Sequence, residues 1–137
     1  MQFFLALCLL FSPLESAAAE QVELFDTEQE RVVQTFTNSS AFQEEALHIL
    51  DSVTGRVLEL SPSLEHALIV KIPLAPPKSL VVPAAKIDEK VLSVFVIIPK
   101  QQNRKPWLIV HTKKEETLLL EFTAGIARLR QLIGKPS

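Results

Sequence analysis

The sequence predicts an α+β domain: two N-terminal helices and a C-terminal helix packed on a mainly antiparallel sheet, with a three-stranded meander over residues 91–123. Three observations predict it. Apolar residues recur at helical spacing between residues 27 and 53 and again near the C-terminus. Three β-rich runs follow one another, punctuated by prolines and one charged turn. The composition, 47% hydrophobic and 22% charged over 137 residues, is that of a globular chain of one domain's length.

The first nineteen residues read as a secretory leader. Phe3 to Phe11 is an apolar run, Ser12-Pro13 breaks it, and Ala17-Ala18-Ala19 offers small residues to a signal peptidase just before Glu20. The run is far short of the ~20 apolar residues that span a bilayer, so no stable membrane anchor is expected after cleavage. Met1-Gln2 lacks the usual basic residue of such leaders. The only cysteine, Cys8, lies inside the leader and follows Leu7, where a lipoprotein signal requires a small residue. The expected product is a single domain over residues 20–137, secreted or periplasmic, with no disulfide to staple it.

In the expected domain, Thr27-Glu28-Gln29-Glu30 has the form of a capping box, followed by Val32, Val33 and Phe36 on one helical face. Ser40 and Gln43 form a second box, and Phe42, Ala46, Leu47, Ile49, Leu50 and Val53 continue at helical spacing until Gly55. A short strand is expected over Val57 to Leu60 and a β-rich run over Leu64 to Ile72. Pro73, Pro76, Pro77 and Pro83 predict an irregular stretch. Val91 to Ile98, Trp107 to Thr112 and Thr117 to Thr123 form the meander. Ala124 to Ile133 carries Ile126, Leu129, Leu132 and Ile133 at helical spacing, stopped by Gly134 and Pro136.

Symmetric loops would pair Thr112 with Thr117 and set Pro99 opposite Pro106. One sheet face then collects Leu92, Val94, Val96, Ile98, Trp107, Ile109, Leu118, Leu120 and Phe122, with His111 among them. The helices should cover it. The other face includes Phe95, Ile97, Leu108, Val110 and Leu119, which is too apolar for a solvated surface. Its expected cover is the Leu74–Lys86 segment, the C-terminal helix or another protein molecule.

The chemistry-bearing residues are sparse. No P-loop, G-x-S-x-G or catalytic cysteine is present. Glu44, Glu45 and His48 share a helical spacing that suits metal ligation, but one copy supplies too few donors. Glu65-His66 has no third partner in the pattern. Lys100, Arg104 and Lys105 beside Trp107 make a basic hairpin tip. With 14 basic and 16 acidic residues, the chain is too near neutrality for nucleic acid to be expected. Asn38-Ser39-Ser40 fits an N-glycosylation sequon and equally a capping turn. The expectation is therefore a non-catalytic protein-interaction module, with neither cofactor nor metal. It would bind a partner, or itself, through Phe95, Ile97, Leu108, Val110 and Leu119 on the second face, or through the Pro-rich segment. The alternative is a carrier of a small apolar ligand, with a pocket between helix and sheet lined by His111 and Trp107.

Overall fold

The computed structural model describes residues 20–59, 62–101 and 103–134; the leader reading, Cys8 included, falls outside them. Seven strands form one antiparallel sheet: β1 (Val22–Asp26), β2 (Arg31–Phe36), β3 (Val53–Arg56), β4 (Ala67–Val82), β5 (Ile87–Pro99), β6 (Trp107–Thr112) and β7 (Thr117–Phe122). Their order across the sheet is β2-β1-β4-β5-β6-β7-β3. Among the described residues only two short α-helices accompany them, α1 (Ser40–Asp51) and α2 (Ala127–Leu132). This corrects the expected fold class. The protein is mainly sheet, not three helices on a meander.

The missing helix is the first one. Thr27 does not cap a helix. Its hydroxyl donates to the Ala67 carbonyl at 3.1 Å and accepts the Ala67 N–H at 3.0 Å. Residues 27–30 instead make the β1–β2 turn, with Glu30 at φ 54° and its N–H donating to the Asp26 carbonyl. The β-branched Val32, Val33 and Thr35 then favour an extended strand, where their side chains lose less freedom than in a helix.

α1 forms where expected. It buries Phe42, Glu45, Ala46, Ile49 and Leu50. It ends at Ser52, not at Gly55, because the Ser52 hydroxyl donates to the Ile49 carbonyl at 2.9 Å and accepts the Thr123 and Ala124 amides. The chain therefore turns straight into β3, four residues earlier than the expected strand at Val57.

The proline-rich stretch belongs to β4. The ladder to β5 is interrupted between Pro73 and Lys78, so the missing N–H groups of Pro76 and Pro77 fall where no ladder bond is needed. Side chains replace the lost partners. Asn38 Nδ2 and Gln43 Nε2 donate to the Pro73 carbonyl at 2.9 and 2.8 Å, and Gln43 Oε1 accepts the Ala75 N–H at 3.1 Å. The sequon nitrogen is thus engaged in holding β4. Beyond the interruption, β4 and β5 continue as a hairpin arm whose Leu80, Ile87 and Val91 join the main core. A 3-10 turn at Pro83–Ala85 closes the arm and lies against β3. Gln43→Ala is expected to lower stability by about 1–2 kcal/mol, the range for losing hydrogen bonds to part-buried backbone groups. Urea unfolding measures it, and Gln43→Glu, which keeps the acceptor for Ala75 but turns a carboxylate oxygen toward the Pro73 carbonyl and Asn38 Oδ1, should lose at least as much.

The meander has its three strands, but each register differs from expectation by one residue. Ile97 faces Trp107 and Val96 faces Leu108. His111, not Thr112, faces Thr117. The β6–β7 loop is tighter than a symmetric four-residue turn because Glu115 adopts φ 63°, with its N–H on the Thr112 carbonyl, while the Thr112 N–H reaches the Glu116 carbonyl. A type I turn followed by a left-handed residue makes such a three-residue hairpin. Two one-residue shifts leave β7 and residues 93–98 of β5 on the expected faces and reverse β6, while Val91, expected on the second face, joins the helical-face core beyond the irregularity next to Ser93.

The helical face therefore carries Leu108 and Val110 with Val22, Leu24, Val70, Ile72, Val94, Val96 and Leu120, packed beneath α1 and α2. The second face carries Trp107 and Ile109 with Phe25, Ile69, Phe95 and Ile97. Two crossings cover the two faces. α1 links β2 to β3, the opposite edges of the sheet. Between β3 and β4, residues 57–59 and 62–66 form a segment that lies over the second face, contributing Leu64 and Val57 to its core. Within the chain, that segment and neither the arm nor α2 supplies the cover. Among the described residues, only Leu58 and Val81 are large apolar side chains left exposed.

Candidate binding cleft at Trp107

Where the crossing segment meets the rim of β6 and β7, the second face opens into a cleft of about 290 Å³. Val57, Glu59 and Pro62 form one wall. Arg104 to Trp107 form another, and Thr54 with Glu121 to Thr123 close the third. Pro106 sets the chain extended into β6, and the β6 register turns the Trp107 side chain onto this face. Trp107 is 7% exposed and is the chain's only tryptophan.

The cations at the rim have distinct employment. Arg104 Nη2 sits 3.2 Å from Glu59 Oε1, joining the hairpin tip to the crossing segment. Lys100 is drawn away to Asp26 and Glu28. Lys105 and Glu121, both exposed, have no ion pair among the described residues. No side-chain polar atom among the described residues is both buried and unbonded. The cleft thus combines an indole, two prolines and Phe122 with one cation and one carboxylate that have no ion-pair partner among the described residues.

The other candidates do not converge here. His111 lies on the same side of β6 as Trp107 but four residues away, about 13 Å along a strand, and does not line the cleft. It is half-buried, opposite Ser93 and Thr117. Phe95, Ile97 and Leu119 stay on the second face, whereas Leu108 and Val110 are fully buried under the helices. Glu44 and Glu45 turn to Arg128 of α2, at 3.1 and 3.6 Å, rather than joining His48. Among the described residues no group of three potential ligands could hold a metal ion. Nor is any helix there long and apolar enough to cross a membrane.

A second polar constellation was invisible in the sequence. Lys100 Nζ donates to both Asp26 oxygens, at 3.0 and 3.1 Å, and to Glu28 Oε1. His66 Nδ1 lies 2.7 Å from Glu28 Oε2. Burial pushes the Asp26 carboxyl up, but Lys100, the Glu28 amide and Gln29 together hold it below its ordinary value. Hydrogen bonds from Lys100 and then His66 lower Glu28, and Lys100 is raised in return, first by Glu28. This cluster ties the β1–β2 turn, the end of the crossing segment and the start of the β5–β6 loop, groups 38 to 74 residues apart in the chain. Its members satisfy one another, so it fastens the second-face cover rather than presenting a reactive group.

Compared with known proteins, the chain matches no family model, no curated protein and no solved structure.

Proposed function

We propose that the chain is an exported, non-catalytic protein-interaction module whose recognition element is the cleft at Trp107. The carrying observation is the cleft's composition: an indole wall flanked by Lys105 and Glu121, which have no counter-charge among the described residues. At about 290 Å³ it lies at the small end of ligand cavities, which run from about 300 to 1,000 Å³. That size suits one or two side chains of an extended peptide. Its mixed lining suits such a segment better than an apolar cargo, and the space beneath the helices is occupied by packed side chains. An aromatic anchor within a polar rim is the usual energetic centre of a protein interface. The leader pattern over residues 1–19 supports export.

The test uses the single tryptophan as a reporter. Peptides that place an apolar residue between acidic and basic neighbours should shift or quench Trp107 emission on binding. Lys105→Glu should weaken that binding by about two- to fivefold, the scale of one exposed charge pair, without altering the unfolding midpoint. A partner recovered from the exported compartment that binds without changing Trp107 emission would rule the cleft out.

A further inference from the structure

Among the described residues the sheet ends at β2, and no other strand pairs with its outer edge. β2 hydrogen-bonds to β1, and no backbone group of residues 31–36 makes another hydrogen bond among the described residues. The opposite edge is better defended: β3 has four residues, includes Gly55, and is abutted by the tip of the arm. Six residues of β2 carry one charge, Arg31, and its guanidinium is drawn back to Gln29 Oε1 at 2.7 Å. Neither lysine nor proline, the common guards of an edge strand, is present. The one guard is a bulge beside Leu24 and Phe25. Val33 and Phe36 pack against the helical-face core and Val32 against the second core, yet all three remain only half-buried because the sheet stops there.

We propose that β2 pairs antiparallel with β2 of a second copy of this chain across a two-fold axis, continuing the sheet through the dimer. The uncharged middle of the strand opposes no like charges in such a pairing, and Arg31 falls at its outer end, away from its copy. The added strand would satisfy the open edge and complete the cover over Val32, Val33 and Phe36, as in other strand-addition interfaces. This rests on the edge and not on the Trp107 cleft, which lies toward the other side of the sheet.

Sedimentation equilibrium of the purified chain is expected to show a mass rising from one chain to two as concentration increases. β2 amides should gain hydrogen-exchange protection over the same range. Gln34→Lys with Thr35→Lys, both at exposed positions, places cations within about 5–8 Å of their copies and should raise the dimer Kd at least about tenfold, with unchanged circular dichroism. A single-chain mass at every concentration up to about 1 mM, the weak limit of specific affinity, would overturn the proposal. So would a dimer that survives the double substitution with β2 amides unprotected.

Discussion

Leu108→Ala is expected to cost about 2–5 kcal/mol, a large part of the roughly 5–15 kcal/mol that holds a domain of this size. Leu108 has no exposed surface and sits in β6 between Val96 and Leu120, beneath the helices. Its truncation removes transfer energy and leaves a cavity in a layer bounded by two paired strands, which cannot collapse freely. Urea unfolding gives the loss. A double-mutant cycle then tests the register itself. Leu108 and Leu120 are direct cross-strand partners on one face, so their Ala substitutions should couple by at least about 0.5 kcal/mol. Leu108 and Leu119 point to opposite faces and should add independently. The symmetric-loop register makes the reverse prediction, because it puts Leu108 opposite Glu121 and on the face of Leu119. Coupling of Leu108 to Leu119, with none to Leu120, would refute the observed pairing.

The contrast between these registers shows where the sequence is readable. α1 and the three meander strands are legible because their signals are local. Apolar spacing marks the helix, and Pro99, Pro106 and the charged turn after Thr112 mark the strand ends. The turn chemistry is not local in the same sense. Glu115 takes a left-handed conformation with no glycine to announce it, and its one-residue shift against β7, with the matching shift against β5, turns Trp107 and Ile109 to the opposite face. The N-terminal hairpin is obscured for another reason. Thr27 satisfies both the helix-cap pattern and a hydrogen-bond exchange with Ala67, and only the folded chain brings Ala67 near. The same holds for β4, where Gln43 serves backbone groups around Pro73 that the sequence gives no reason to connect. Trp107 is legible as an aromatic beside a basic tip. Its walls from Val57, Glu59 and Phe122 are not, since they depend on how the chain returns from β3.

Asp26→Asn is expected to lower stability by about 1–3 kcal/mol at neutral pH, the scale of losing charged hydrogen bonds, with the lower part of that range favoured because Lys100 is 35% exposed. The effect should depend on pH in a direction that the cluster fixes. Asp26 ionises below its ordinary value of 3.8 in the folded chain, so folding favours its charged form. Its contribution is fully present above the unfolded value and is lost as pH falls through the lower folded one. Glu28, lowered from 4.5, acts in the same sense. Lys100 is raised above 10.5, so its contribution holds below that value and fades only as pH climbs through the higher folded one. Wild type and Asp26→Asn should therefore differ by a constant amount from about pH 5 to 9, then converge in acid as the wild-type carboxyl takes up its proton. Asn keeps an oxygen for the Glu28 N–H, which donates to Asp26 Oδ1 at 2.9 Å, so the β1–β2 turn persists and the loss comprises the charge and the Oδ2 acceptor that Lys100 and Gln29 share. Denaturation curves across this range measure the difference. A gap that stays constant below pH 3 would mean that Asp26 stabilises by shape alone, and that the Lys100 pairing is not what fastens the crossing segment over the second face.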